Sequence, residues 1–164
     1  MTNPKTHMQD DTTVTMLSDS EARITRTFHA PRALVWKAMT TPEHVREWYG
    51  PHDTRVVACE MDLRVGGKWR IVVRTSEDLD AVFSGEYREI AAPARLVQTW
   101  RFEPFPEASS IESMRLEDHG ETTHMITLVK HASKEGLQGH LQSGMEEGMR
   151  ETYERLDELA QKLR

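Results

Sequence analysis

The sequence predicts an α+β domain in which a curved antiparallel sheet of six to seven strands wraps around one long C-terminal helix. Apolar and polar residues alternate in short segments between residues 22 and 129, as strands with one solvent-facing side require. Residues 134–163 then change to a helical period, with one apolar stripe along roughly 45 Å of helix. Only a sheet that curls around such a stripe can bury its whole length.

Two short helices are predicted after the first strand. Residues 22–28 alternate as a strand, and Pro31 suits the first turn of a helix because its missing N–H would be unpaired there anyway. The second helix begins at Pro42, with Thr41 as the residue that caps its free N–H groups. The Gly-Pro pair at 50–51 ends it.

Turn signals separate the remaining strands. Gly66 and Gly67 interrupt the longest strand and permit the bend by which a sheet curls. Proline and acidic residues mark a loop at 103–107. The predicted strands span residues 55–61, 62–74, 82–90, 96–102, 111–116 and 122–129.

The first 20 residues are predicted to form a flexible tail, and residues 21–164 to form a single domain. The tail is rich in Thr, Asp, Asn and Ser, so ordering it would cost backbone entropy with little burial in return. A short edge strand at residues 12–17 is the alternative, because Val14, Met16 and Leu17 lie there.

Composition argues against several classes of partner and site. The net charge of −6 comes from interleaved acidic and basic residues, so we expect no nucleic acid partner. No apolar run approaches the roughly 20 residues that span a bilayer, and residues 1–11 lack a basic-then-apolar signal. We therefore expect a cytoplasmic protein without a membrane partner. Cys59 is the only cysteine, which excludes an intrachain disulfide and a Cys-based zinc site.

Two glycines in the long helix are the most informative residues of the sequence. Gly144 and Gly148 lie one turn apart and together cost the helix about 2 kcal/mol relative to alanine. The commoner explanation for glycines in a helix is that the missing side chains let the helix pack closely on the sheet. The other explanation is that missing side chains leave room for a ligand. Met145 and Met149 flank the pair, and their flexible thioethers suit either a plain core stripe or a variable guest.

The predicted site is a cavity between the sheet and the long helix, where aromatic rings supply apolar area and a few polar groups. His140 and Glu147 are the candidates for catalysis, but no Ser, Cys or paired carboxylate is placed beside them. We expect no metal site, because His124 and His131 point to opposite faces of a strand, and no cofactor. The predicted cavity residues are Phe28, Trp48, Trp69, Phe83, Tyr87, Trp100, Phe102, Met114, His140, Leu141, Gly144, Met145, Gly148, Met149 and Tyr153.

Several short motifs of the sequence, taken together, resemble those of one family. They are Phe28-His29-Ala30-Pro31 before Val35-Trp36, Thr41-Pro42-Glu43-His44 before Trp48-Tyr49-Gly50-Pro51, Asp62-Leu63-Arg64-Val65-Gly66-Gly67, Phe83-Ser84-Gly85-Glu86-Tyr87 and Pro93-Ala94-Arg95-Leu96-Val97. Across residues 22–163 the chain resembles the activator of heat-shock-protein-90 ATPase homologues. This branch belongs to the helix-grip (START-like) superfamily, so the resemblance implies the helix-grip fold.

The resemblance leaves three functions open, because one scaffold hosts carriers, sensors, cyclases and co-chaperones. The leading hypothesis is that the cavity binds a small, largely hydrophobic molecule for carriage or sensing. The second is a co-chaperone-like role, in which the protein binds a chaperone and stimulates its ATPase. The third is a cyclase or hydrolase that uses the same cavity with His140 or Glu147. No catalytic motif is shared across the branch, which favours a role other than catalysis.

Overall fold

One antiparallel sheet dominates the computed structural model, which describes residues 12–135 and 145–164. Helices α1 (Arg32–Thr40) and α2 (Pro42–Trp48) follow the second strand, and α3 (Met145–Lys162) comes last. The strands are β1 (Thr13–Met16), β2 (Glu21–Phe28), β3 (Arg55–Met61), β4 (Lys68–Arg74), β5 (Asp80–Ala91), β6 (Arg95–Phe102), β7 (Phe105–His119) and β8 (Thr122–His131). Their order is β1-β2-β8-β7-β6-β5-β4-β3. The α+β prediction is confirmed, with eight strands in this sheet rather than six or seven.

The additional strand is β1, at one edge of the sheet. It pairs with β2, and Val14 lies opposite Ile24. Just before β1, Thr12 is buried, and its hydroxyl oxygen accepts a hydrogen bond from Arg26 Nη1 at 3.0 Å. The edge-strand alternative is therefore correct for this segment, and a tail that ends at residue 20 is too long. Residues 1–11 lie outside the described residues.

Helices α1 and α2 begin close to the predicted residues. Pro31 occupies the position before α1, and Pro42 is the first residue of α2. The predicted cap is wrong in one respect: Thr41 occupies the capping position, but its side chain makes no capping hydrogen bond. The two helices are held together instead by the Trp48 indole N–H, which donates to the Ala38 carbonyl at 2.8 Å.

Register shifts bend the sheet at three places. They fall at residues 56–58, 87–89 and 101–102, where an irregularity increases the local twist of a strand pair.

Two predicted boundaries are wrong. Residues 62–67 form a loop, so β4 begins at Lys68, and β7 begins at Phe105, within the predicted loop.

The loop at 62–67 remains hydrogen-bonded to the sheet. The Gly66 N–H donates to the Tyr87 carbonyl at 2.8 Å, and the Tyr87 N–H donates to the Gly67 carbonyl at 2.9 Å. Gly66 has a φ of +84°, a conformation that side chains rarely adopt. A Cβ on Gly67 would collide with the Asp62 carbonyl. The paired glycines thus make a sharp turn that returns the chain to the sheet.

Helix α3 is anchored to β2 and the residue that follows it through Asp157. Its Oδ1 accepts the backbone N–H of His29 at 2.8 Å, and its Oδ2 lies 2.7 Å from His29 Nδ1 and 3.5 Å from Arg26 Nη2. Leu156 and Ala160, on either side, are fully buried.

The long helix was predicted over residues 134–163, and its described part is Met145–Lys162. In the described residues, no helix has the length and apolar character needed to cross a membrane.

A second anchor joins α3 to the loop that follows α2. Arg155 Nη1 donates to the Gly50 and Pro51 carbonyls at 2.8 and 2.9 Å, and Nη2 donates to the Glu47 carbonyl at 2.8 Å. Burial lowers the pKa of the Arg155 guanidinium. These hydrogen bonds fix the loop to α3.

Candidate binding cavity

A cavity of about 440 Å³ lies between the sheet and the roof formed by α2, the 50–51 loop and α3. Strands β4 to β8 supply most of its wall. From α3 the wall includes Gly148, Met149, Thr152 and Tyr153, which recur at the spacing of one helix face. The curled sheet and the anchored helix thus border a partly open space that the described core side chains do not fill.

Aromatic rings make up much of the wall. The Phe83 ring lies at the centre of this group, with ring centroids 5.9 Å from Tyr49 and 5.7 Å from Trp100. Tyr49 also packs against Trp48 at 5.6 Å. Rings in contact at these distances hold one another in place, so the wall is preformed. The lining rings are Trp48, Tyr49, Trp69, Phe83, Tyr87, Trp100 and Tyr153.

The structure brings most of the predicted cavity residues together, and two of them lie elsewhere. Phe28 is fully buried in the core, where its ring makes an edge contact with Tyr153 at 5.8 Å, so it faces packed atoms rather than the cavity. Phe102 lies opposite Phe83, and its ring packs against Phe83 at 5.4 Å and Phe105 at 5.8 Å without forming part of the wall. The predicted residues that do line the cavity are Trp48, Trp69, Phe83, Tyr87, Trp100, Met114, Gly148, Met149 and Tyr153.

Of the two catalytic candidates, the one that the structure describes lies outside this site. Glu147 is exposed and is absent from the wall, because it precedes Gly148 by about 100° around the helix, on the side opposite the lining residues. His140, Leu141 and Gly144 lie outside the described residues, as does the side chain of Met145. In the described part of the chain, no three His, Cys, Asp or Glu side chains come together as metal ligands would.

The surroundings of Gly148 favour one of the two explanations for the helix glycines. A Cβ built on Gly148 meets only Pro51 Cγ, at 3.6 Å, which is an ordinary contact. Close packing on the sheet therefore does not require a glycine here. Gly148 instead widens the cavity beside the 50–51 loop, and the prediction that it lines a cavity agrees with its position.

Sequence reasoning missed the polar part of the wall, whose centre is Glu112 on β7. Gln98 lies opposite it on β6, and Gln98 Nε2 donates to Glu112 Oε1 at 3.1 Å. A usable signal was present, because Glu112 is two residues from Met114 and therefore on the same face of the strand. An acid in phase with apolar residues indicates a buried carboxyl.

Burial shapes the acidity of the groups around Glu112. Glu112 is half-buried; desolvation of its carboxyl raises the pKa, while the hydrogen bond from Gln98 acts in the opposite direction. The phenols of Tyr49 and Tyr153 also have raised pKa values, first through burial and then through the nearby Glu112. A hydrogen bond with the Trp100 side chain partly opposes the shift at Tyr49. The phenols are therefore hydrogen-bond donors rather than anions.

Two polar atoms of the wall have no hydrogen-bond partner in the described structure. They are Trp69 Nε1 and Ser110 Oγ, on residues that are 4% and 5% exposed. Ser110 lies opposite Trp100, next to the pair formed by Gln98 and Glu112. A buried donor or acceptor without a partner costs about 1 to 3 kcal/mol. A guest that bonds to these atoms would recover part of that cost.

The raised pKa of Glu112 predicts an unusual dependence of stability on pH. Above the ordinary carboxyl pKa of 4.5, the unfolded chain loses this proton while the folded protein keeps it, so stability falls as pH rises. We expect Glu112→Gln, which is uncharged and similar in shape, to remove this loss. The gain should be small below pH 4.5 and grow as the pH rises above it. Denaturant unfolding of both proteins across this range measures it, and a constant difference would contradict the assignment.

The comparisons with known proteins agree with this architecture. A protein from Nitrosomonas europaea is 24% identical, with a TM-score of 0.80 over 90% of this chain and 97% of its own. One from Rhodobacter sphaeroides is 21% identical, with a TM-score of 0.82 over 89% and 95%. An AHSA1-like protein from Aeromonas hydrophila is 15% identical, with a TM-score of 0.64 over 82% and 92%. At these identities the likeness establishes the fold. No curated protein matches the chain.

The family comparison covers most of the domain. The family described as "Activator of Hsp90 ATPase homolog 1-like protein" matches residues 29–161, from the end of β2 to the last turn of α3. This range holds nearly all of the cavity wall, apart from Ile24. The chain therefore belongs to the Activator of Hsp90 ATPase homolog 1-like family.

Proposed function

We propose that the protein binds a small, largely hydrophobic molecule in the cavity beneath α3, as a carrier or sensor. The observation that carries the proposal is the cavity of about 440 Å³, whose described wall is rich in rings and includes buried polar atoms without partners. Sites for drug-sized molecules have this size and this mixture of apolar surface and few polar groups. Burial of apolar ligand surface would supply the affinity, and the polar atoms would fix the orientation.

The chemistry of the wall favours binding over catalysis. The described lining includes no His, no Cys and no second carboxylate that could work with Glu112 as an acid–base pair. Cys59 is buried but is not part of the wall, and burial raises the pKa of its thiol, which disfavours a nucleophilic thiolate. A cavity of this composition is suited to holding a molecule unchanged.

The direct test is native mass spectrometry of the full-length protein as purified from cells. We expect a retained mass in the range of small organic molecules, released on denaturation. Isothermal titration of the emptied protein with the extracted molecule then gives the stoichiometry, expected to be one per chain. A protein that carries nothing and binds no apolar compound would contradict the proposal.

Gly148 provides a test by steric blocking. We expect Gly148→Trp to weaken ligand binding by at least about tenfold, because Gly148 lines the cavity and an indole ring at this position would take up part of its volume. Gly148→Ala is the matched control: it should stabilise the helix by about 1 kcal/mol and leave binding nearly unchanged. Thermal unfolding and titration of both variants make the comparison. Equal affinities of the two variants would place the ligand elsewhere.

A second candidate function follows from the description of the matching family, which names activation of an Hsp90 ATPase. In this case a surface of the domain, rather than the cavity, would engage the chaperone. The test is the ATPase rate of purified Hsp90 with and without this protein. An unchanged rate at saturating protein would reject this candidate, and the Gly148→Trp variant should stimulate as well as the wild type if the cavity is not involved.

A further inference from the structure

The ionisable groups of the cavity wall have one sign. Among the described lining residues, Glu112 is the only carboxyl, and no Lys, Arg or His side chain reaches the wall. Arg26, on the same face of the sheet, is 2% exposed and faces Asp157, so its charge is already engaged. A ligand with an anionic head would therefore meet a carboxyl and no described cation. This inference rests on the proposed function and concerns the chemical class of the guest.

Glu112 has an unused hydrogen-bonding position. Its described side-chain hydrogen bond is the one from Gln98, and this bond occupies Oε1. Oε2 has no partner among the described residues, and Glu112 contributes to the surface of the cavity. The unpartnered hydroxyl of Ser110 lies on the same strand, two residues away and on the same face. Together, Oε2 and the hydroxyl form a polar position within an otherwise apolar wall.

The rings near this position also favour a cation. Tyr49 and Tyr153 lie close enough to Glu112 that its charge raises the pKa of both phenols. Trp100 lies opposite Ser110 on the neighbouring strand. The faces of aromatic rings attract ammonium groups, most strongly where water is excluded. Anions gain nothing from such faces.

We propose that the cavity is selective for hydrophobic amines, with the ammonium group of the guest paired to Glu112 Oε2 and its apolar body against the tryptophan and tyrosine rings. The cation would supply the counter-charge that the described wall residues do not provide, and Ser110 Oγ would accept one of its hydrogen bonds. A carboxylic acid of the same size would be the least favoured guest, and an alcohol would be intermediate.

Proton balance gives the proposal a second, independent readout. Burial keeps Glu112 protonated to higher pH, so an ammonium ion that binds there would displace the carboxyl proton into solvent. The groups that face Glu112 are Gln98 from β6, Tyr49 after α2, Tyr153 from α3 and Val129 from β8. The phenols hold their protons, because burial raises their pKa values. The released proton would therefore come from Glu112.

The experiment compares three probes of nearly equal shape: phenylbutylamine, phenylbutanol and phenylbutanoate. Near neutral pH we expect the amine to bind the wild type at least about tenfold more tightly than the alcohol, with phenylbutanoate weakest. In Glu112→Gln the preference for the amine should fall to about twofold or less, while the alcohol still binds. Glu107→Gln, an exposed position on the same strand, is the matched control and should keep the wild-type order.

The outcomes separate this inference from the function on which it rests. Equal binding of amine and alcohol to the wild type would overturn the amine selectivity and leave the cavity as a binding site. Failure of all three probes, together with no retained molecule, would contradict the proposed function itself. Titration of the wild type in buffers of different ionisation enthalpy tests the proton balance without any variant. From about pH 5 upward, proton release that declines as the pH rises in the wild type and is absent in Glu112→Gln supports the inference, and equal release by the two proteins overturns it.

Discussion

Replacing Asp157 by alanine is expected to destabilise the protein by about 3 to 5 kcal/mol. The substitution removes the carboxylate that faces Arg26, and the guanidinium would remain buried at 2% exposure without a counter-ion. It also removes the acceptor for the His29 N–H at 2.8 Å. Because Arg26 bonds to Thr12 as well, one carboxylate supports the contacts among β1, β2 and α3. Denaturant unfolding near neutral pH measures the loss.

Two comparisons isolate the buried charge as the cause. Glu158→Ala removes a neighbouring but exposed carboxylate from the same helix and should change stability by less than about 0.5 kcal/mol. The double variant Arg26→Leu with Asp157→Leu removes both charges, so we expect it to lose less stability than Asp157→Ala alone. If Asp157→Ala and Glu158→Ala have equal stability, the pair does not anchor the helix.

Replacing Gly85 by alanine should cost about 3 kcal/mol or more. A Cβ at this position would collide with the Thr99 carbonyl in the neighbouring strand and would lie 2.7 Å from Trp69 Nε1. The carbonyl belongs to the sheet backbone and has little freedom to move. Any shift of the Trp69 ring would also alter the cavity wall. We therefore expect losses of both stability and ligand binding.

Gly148→Ala is the natural control for this substitution. It makes the same chemical change at a glycine whose Cβ direction is open, and its expected effect on stability has the opposite sign. Thermal unfolding of the two variants side by side gives the comparison. Similar melting temperatures would show that the sheet adjusts around Gly85 more easily than its contacts imply.

The elements that local patterns define were predictable from the sequence. The alternation in β2, the prolines before α1 and at the start of α2, and the helical stripe around Leu156 each depend on neighbouring residues. The pairing of β1 depends on partners far along the chain, namely β2 and Arg26. Its few apolar residues gave little local signal. The composition of this segment therefore predicted a tail, whereas its pairing with β2 places it in the sheet.

The aromatic residues of the site could be predicted from the sequence, whereas its central polar residue, Glu112, was not predicted. Alternate residues of a strand point to the same face of the sheet, and this alternation identified Trp69, Tyr87 and Trp100 as wall residues. It also favoured Phe102, which lies opposite Phe83 and packs against the Phe83 and Phe105 rings but is not part of the wall. Glu112 was overlooked because carboxyls are usually exposed, and only its phase relative to Met114 indicates otherwise. The position of a void also depends on how far the helix stands from the sheet, which strand periodicity does not specify.

The distribution of tryptophan gives the cavity its own optical signal. Three of the four tryptophans, Trp48, Trp69 and Trp100, line the wall, whereas Trp36 lies in α1 away from it. A guest in contact with three indoles would change their emission, and Trp36 would contribute a constant background. Occupancy could then be followed in unlabelled protein, by fluorescence at micromolar concentration or in a stopped-flow instrument.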